Sequence, residues 1–524
     1  MNKKSIIIFS SIIVLAALLR TLFLGSIPPG IHPDAAVNGL DAWHAFITHH
    51  HQAFYEANFG REGLLINLIS FSFQFFGPNI ITYKLPSVLI GILSVVGMYA
   101  LGKAVKPKSS LGLFAAFFMA ISFWMVLFER TGLRATVSVF CVVWTAASFF
   151  FALRSRRWWW YVLTGTFLGL GLNTYLSFRL MPIVLIVGCM YYLWVERRIR
   201  QISFRRSLQS HRLIFLTVLV AMLIATPLAR YFISHPYYFV GRADDVSVFS
   251  QPHSFKLLAE STIANLGIFT FFGDPNWRHN ISTQPLLDMF QSFLFLGGIF
   301  LAWKTTRRIK HEASEEDVIW TSASFFVLLL LGAMIIPAAI TFSPGGIPHA
   351  LRIIDTAPAV YLLVAFAAWS LWIWAHRIWP DQKRNIIAVV TIAAVMLTGE
   401  TSINYFSSRW GLNTQVAHEY SQDFTRVSQY INQQAKNGQK IYLVNTASEV
   451  SFFTVNTKNL LTVTAGNALD VSHFQPTIVV ITTDQSSDSN LATQLRTFGW
   501  RDAGVHLGEG GHNVIVLLRP KATG

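Results

Sequence analysis

Apolar runs of about twenty residues recur along this chain, and no other feature limits its folding as tightly. A helix needs roughly that length to cross a bilayer core, so about eleven segments are predicted to span. They lie near 5–24, 80–104, 110–128, 133–153, 158–177, 179–195, 212–233, 286–303, 318–341, 351–375 and 384–404, with Asn173, Ser177 and Arg179 interrupting the pair between 158 and 195. Only 13% of the 524 residues are charged and 53% are hydrophobic, whereas soluble domains carry about 25% charge. A soluble enzyme and a disordered chain are both excluded. The expected fold class is a multi-span α-helical membrane protein.

The 41 Lys and Arg outnumber the 26 Asp and Glu, giving a net charge of +15. On a soluble protein that excess would suggest nucleic acid. Here it marks topology. Lys3 and Lys4 precede the first run, and alternate loops carry Lys103, Lys106 and Lys108; Arg154, Arg156 and Arg157; Arg197, Arg198, Arg200, Arg205 and Arg206; Lys304, Arg307, Arg308 and Lys310; and Arg377, Lys383 and Arg384. Basic loops stay cytoplasmic, so the N-terminus is expected inside, as an uncleaved anchor, and the C-terminus outside. Cys141 and Cys189 both sit in apolar runs, which leaves neither a disulfide framework nor a cysteine metal site.

Three segments then face outward: 25–79, 234–285 and the tail. The tail turns polar and carries strand-like runs at Lys440–Asn445, Leu460–Thr464, Thr477–Thr483 and Asn513–Leu518, with helical stretches near 414–435 and 489–498. The chain therefore divides into a membrane region over 1–404 and a small C-terminal α/β domain over 405–524.

In the first outer loop, Pro28-Pro29 stops the first span and Pro33-Asp34 opens a short amphipathic helix. Asp34 and Asp41 are two helical turns apart and share a face; as an N-cap and a solvated side chain they would need no chemistry. Arg61 and Glu62 open an apolar stretch to Phe76 that is short for a span and reads as re-entrant or interfacial. They form either a surface pair, which stabilises little, or a grip on an anionic headgroup. His49-His50-His51 points three ways on a helix and reads as interfacial.

Ionisable residues also collect at outer span ends: Glu129-Arg130-Thr131-Gly132-Leu133-Arg134, read as a tight turn, then Tyr175 to Arg179, Gly273-Asp274-Pro275-Asn276-Trp277-Arg278-His279-Asn280, and His349-Ala350-Leu351-Arg352. Arginine near hydrocarbon pairs or lines a polar cavity, unless it snorkels, and its planar fork matches phosphate oxygens. Gly-Asp-Pro-Asn is also a turn sequence that uses Asp without any chemistry.

At these motifs the chain resembles the GT-C superfamily of membrane glycosyltransferases, in particular the bacterial protein O-mannosyltransferase and aminoarabinose transferase branch. The cues run in order over roughly 10–360: Pro-x-Asp, Gly-Arg-Glu-x-Leu, Arg-x-Gly-Leu-Arg, Gly-Asp-x-Asn-x-Arg-His-Asn and Pro-His-x-x-Arg. Two departures stand out. Ala35 follows Asp34 where many relatives carry a second acid, which weakens a carboxylate pair as a metal site, and Gly63 stands where many carry proline.

The resemblance implies an inverting transfer from a polyprenyl-phosphate sugar to an acceptor hydroxyl on a protein, a lipid or a cell-wall glycan, at the outer face of a bacterial plasma membrane. It implies Asp34 as general base and Arg61, Arg130, Arg134, Arg179 and Arg352 as holders of the donor phosphate. Glu62, Asp41, Tyr175, Asp274, Arg278, His279 and His349 would position sugar or acceptor. No cofactor is certain; a divalent metal on His32, His279 and His349 with Asp34 is conceivable, although no i, i+4 histidine pair supports it. A transporter or flippase of lipid-linked saccharides is the alternative. Such carriers tend to show two similar halves with broken midplane helices, whereas the polar residues here gather at span ends.

Overall fold

The computed structural model describes residues 3–239, 241, 247–307, 314–342, 346–444, 447–463, 476–482, 486–504 and 514–519. Among them, eight helices are long and apolar enough to cross a bilayer: Lys3–Thr21, Ile80–Val105, Ala135–Ser155, Leu176–Arg200, Ile214–Ser234, Glu315–Ala339, Ile354–Ile378 and Pro380–Phe406. A bent pair, Leu111–Ala120 with Phe123–Thr131, makes a ninth. The other two expected spans are helices of a weaker kind. Trp158–Gly171 has only 14 residues, and Met289–Arg307 interleaves its apolar residues with Gln291, Ser292, Gly297, Gly298 and Lys304. The multi-span helical class stands.

By internal packing the chain forms two compact units. The first comprises Met1–Leu22, His51–Leu68 and Lys84–Tyr405, and the second Phe23–His50, Ile69–Tyr83 and Phe406–Gly524.

Within the first unit Ala135–Ser155 is the most enclosed span, with 83% of its most apolar stretch buried, against 17% for Ile214–Ser234 and Pro380–Phe406. A helix satisfies its own backbone, so apolar side chains left open on those two are what contact with lipid requires. The bent pair turns by 57° where Ser122 interrupts it. The Ser122 hydroxyl accepts from the Met125 N–H at 3.0 Å and caps a fresh helix. That helix ends at Gly132, which is left-handed at φ 72°. Glu129 and Arg130 therefore occupy a last helical turn instead of the open turn expected. On the basic loops, Lys103 donates to the Pro107 and Ser109 carbonyls, and Arg154 to those of Ala104 and Val105. The cations satisfy carbonyls at and just beyond a helix C-terminus, where the backbone dipole favours them. Arg308 and Lys310 lie outside the described residues.

The second unit holds a five-stranded sheet in the order Leu460–Val463, Ile441–Val444, Ile478–Ile481, Ile515–Leu518, Arg501–Asp502. The first three strands run parallel, and Ile515–Leu518 is antiparallel to both its neighbours. Alternate residues point to opposite faces. Ile441 and Leu443 pack with Phe424, Val427 and Ile431 of helix Gln422–Lys436, while Tyr442 and Val444 pack with Leu491, Ala492 and Leu495 of helix Ser486–Thr497. Both faces are covered, so the central strands read as unbroken apolar runs. This is the expected small α/β tail; Asn445, Thr464, Thr483 and Asn513, at the ends of the predicted strands, lie outside the described residues.

Helix Ser448–Thr454 lies outside the sequence expectation, and it receives the helix of the first loop, Pro33–Thr48. Gly39 makes this close approach possible, because a Cβ there would stand 2.5 Å from the Phe452 ring. Phe73 and Tyr83 flank the same ring at 6.4 and 5.8 Å, and the Ser448 hydroxyl donates to the Pro33 carbonyl at 3.4 Å.

Candidate active site

A short hairpin in the first unit presents Glu62. Phe54 pairs with Glu62 and Tyr55 with Arg61, across a turn whose Asn58, Phe59 and Gly60 are all left-handed. Gly63 follows under steric duress: a Cβ there would lie 2.1 Å from the Gln52 carbonyl oxygen, and its N–H donates to Ala53 at 2.8 Å. A proline would clash and lose that bond, which gives the departure from the family pattern a local cause.

Glu62 gathers two arginines instead of pairing with its neighbour. Its Oε2 accepts from Arg134 Nη1 at 2.7 Å, and its Oε1 lies 3.7 Å from Arg179 Nη2. Arg179 also rests against the rings of Phe232 and Phe239 and donates to the Phe239 carbonyl at 2.7 Å. Arg61 is buried and donates from Nε to Ala57, four residues back in its own turn. One carboxylate between two guanidinium groups leaves the cluster net positive, the condition for holding an anion.

Arg134 begins span Ala135–Ser155, Arg179 sits in the 3-10 turn Leu176–Leu180, and Arg352 lies just before the 3-10 turn Ile354–Thr356. Arg352 donates to the Phe342 carbonyl at 3.0 Å. A fourth group, unnamed in the sequence reading, joins these segments. Asp355 Oδ2 accepts from the hydroxyls of Ser138 at 2.8 Å and Ser177 at 2.5 Å. A lone acid within a predicted apolar run was the signal that pointed to it.

Asp274 performs both roles open to it. Its Oδ1 accepts from the Asn276 N–H at 2.8 Å, closing the Gly-Asp-Pro-Asn turn, and its Oδ2 accepts from the Ala350 N–H at 2.7 Å. The latter bond brings in the two imidazoles: His279 Nδ1 and His349 Nδ1 lie 3.3 and 3.9 Å from that oxygen. Burial alone would raise the Asp274 carboxyl, but His279, His349 and the Asn276 N–H outweigh it and hold it below the usual range. Burial, then the neighbouring His279 and despite Asp274, pushes His349 well below the ordinary histidine value.

These three residues could hold a divalent cation. Their ligand atoms lie within 4.8 Å of one another, and among the described residues His349 Nδ1 is buried without a hydrogen-bond partner. A neutral imidazole pair and a carboxylate are the donor set of zinc-class ions. Asp274 is thus the acid that joins His279 and His349, the place the sequence reading gave to Asp34 with His32.

The other expected residues are placed as follows. Arg130 is fully buried, donates to the Leu19 carbonyl at 3.0 Å and lies over the Tyr405 ring at 4.8 Å; beside it Glu129 pairs with Arg20 at 2.5 Å. Tyr175 is the extended residue before the turn that carries Arg179, and Arg278 is half-buried. In the second unit His32 is the cap of helix Pro33–Thr48, its Nδ1 accepting from the Asp34 N–H at 3.1 Å. The Asp34 carboxyl, side chain 42% exposed, is therefore not the cap, and Asp41 is half-buried on the same helix.

Residues 64–231 match the family model described as dolichyl-phosphate-mannose-protein mannosyltransferase. No protein of curated function matches the chain in sequence. In fold the chain is similar to ArnT from Cupriavidus metallidurans bound to undecaprenyl phosphate, at 14% identity and a TM-score of 0.56, over 100% of this chain and 99% of that one. ArnT in the apo state gives 13% and 0.54, over 98% and 97%. The Archaeoglobus fulgidus oligosaccharyltransferase in complex with Zn and sulfate gives 10% and 0.51, over 91% of this chain and 68% of that one. The resemblance read from the motifs, to GT-C membrane glycosyltransferases, is met in the family match and in the fold.

Proposed function

We propose that this chain transfers a glycosyl group from a polyprenyl-phosphate carrier to an acceptor hydroxyl at the outer membrane surface, inverting the anomeric centre. The family match and the shared fold support the reaction class, and the ArnT structure with undecaprenyl phosphate supports the kind of donor. The observation that carries the reading is the Glu62-held pair of Arg134 and Arg179 at outer span ends. Charge develops on the phosphate as the bond between C1 of the sugar and the phosphate oxygen breaks. Preorganised guanidinium groups stabilise that charge where water is scarce, with Arg352 and Arg61 as further donors.

The acceptor oxygen attacks C1 from the opposite side, and its proton passes to a carboxylate. Asp34 is the proposed base, since its carboxyl is not consumed as the helix cap. Such a base contributes about 10²–10⁴-fold. Asp274, His279 and His349 would hold a cation where one binds, and such an ion would stabilise negative charge on nearby phosphate oxygens. Arg278, Tyr175, Glu62 and Asp41 remain candidates for orienting sugar or acceptor.

The test supplies purified protein in detergent with a panel of radiolabelled polyprenyl-phosphate sugars and an envelope extract as acceptor. Donor-dependent release of polyprenyl phosphate, with label entering the acceptor fraction, is expected. Failure to release it from any donor overturns the reading, and label crossing a vesicle membrane without release replaces it with a carrier.

A further inference from the structure

Asp355 is fully buried, and so are the two serines it holds, at 0% exposure for Ser138 and 2% for Ser177. Each of the three belongs to a segment that ends in one of the arginines already described. Ser138 lies four residues after Arg134, one turn along the same helix face. Ser177 precedes Arg179 by two residues within one 3-10 turn, and Asp355 follows Arg352 by three. Glu62 joins Arg134 and Arg179 at their charged ends, while the Asp355 carboxylate joins the backbones from which they project.

As a fastening for stability alone this joint is poor. Both hydroxyls go to Oδ2, and Oδ1 is buried without a hydrogen-bond partner among the described residues. Burying a half-satisfied acid costs free energy, and well-packed apolar residues would hold three helices together at least as firmly. What a carboxylate adds is direction: hydroxyl donors to a charged oxygen are short and about twice as strong as neutral ones, which fixes angles that dispersion leaves loose.

We propose that Asp355 is a positioning residue that sets Arg134, Arg179 and Arg352 in register for one phosphate. The proposal rests on the reading of those arginines as the donor's phosphate site. Misplacement by an ångström is enough to cost about 10²-fold in a preorganised site, so the registering group carries weight although it touches no ligand.

The probe is undecaprenyl phosphate, its affinity for the full-length protein measured in detergent by displacement of the radiolabelled lipid. Asp355→Ala should weaken it by at least about tenfold, and Asp355→Asn, which keeps an acceptor oxygen, should recover part of the loss. Combined with Arg179→Ala, Asp355→Ala should add little to the loss from Arg179→Ala alone, because it acts through that group. Native affinity in folded Asp355→Ala, or losses that add in full, would overturn the proposal. Should Asp355→Ala fail to fold, Ser177→Ala carries the same comparison, with weaker binding expected and unchanged binding fatal. Amide hydrogen exchange over 134–138, 176–180 and 352–356 reads register without any ligand; it should quicken in Asp355→Asn, and unchanged exchange refutes the inference. Wild-type protein that ignores undecaprenyl phosphate would sink the functional reading instead, and the exchange measurement would still decide on register.

Discussion

Glu62→Gln should make the protein less stable and its grip on a lipid phosphate tighter. The amide keeps the shape and one acceptor oxygen but removes the only charge shown between Arg134 and Arg179. Opposite unit charges about 4 Å apart attract by about 4 kcal/mol at an effective dielectric constant near 20, and stranding one partner of a buried pair typically costs about 3–5 kcal/mol. The pair with Arg134 is some nine-tenths buried and the one with Arg179 only three-quarters, so the lower end of that range is expected. The same carboxylate repels any phosphate that the arginines hold. At about 8 Å that repulsion is about 2 kcal/mol, or about 30-fold in affinity. Apparent melting temperature in detergent gives the first quantity, and displacement of radiolabelled undecaprenyl phosphate gives the second. The two should move in opposite senses. If the variant instead binds the lipid more weakly while folded, Glu62 acts by holding geometry and the electrostatic reasoning fails.

Asp34→Asn should bind undecaprenyl phosphate as the native protein does and lose about 10²–10⁴-fold in turnover; retained transfer would remove Asp34 from the chemistry. Zinc titrated into the metal-free protein should bind, and His279→Ala or His349→Ala should each weaken it by at least the 10–100-fold seen when outer partners of metal ligands are lost; equal affinity in all three proteins would dissolve the proposed cation site. His349 is held well below 6.5 in the folded protein, so on acidification the unfolded chain takes up its proton first and stability falls as the pH drops below about 6.5. Replacing it in His349→Gln should flatten melting temperature between about pH 7 and pH 5, and an unchanged slope would show that the group carries no such linkage.

Much of the membrane architecture was legible because a span is a local property: twenty apolar residues declare themselves without reference to partners. Trp158–Gly171 and Met289–Arg307 show the limit, since what shortens or dilutes them are residues that a window average absorbs. The tail was readable for the same reason, its strands alternating between two covered faces. In the site, Arg134, Arg179 and Glu62 were each singled out as ionisable residues in apolar surroundings, but their mutual grip joins positions 72 apart, which no periodicity encodes. Asp274 was caught between turn and site because its two oxygens serve one each. His32 was weighed as a ligand although it proved to be the cap, since imidazole is not among the residues usually expected to close a helix N-terminus. Asp355 passed unnoticed inside a predicted span because the scan weighed hydrophobicity and ignored the single acid within it.

The contact of Gly39 with Phe452 has a practical corollary for anyone redesigning this molecule. Residues separated by some four hundred positions fold as one piece, so the polar tail is not a detachable module. Cutting after 405 would leave the Pro33–Thr48 helix with a bare flank, and a chimera that borrows the tail from a cousin must import the matching loop with it. Swaps made at the obvious sequence boundary would then fail for want of a neighbour, whatever the acceptor preference of the transplanted part.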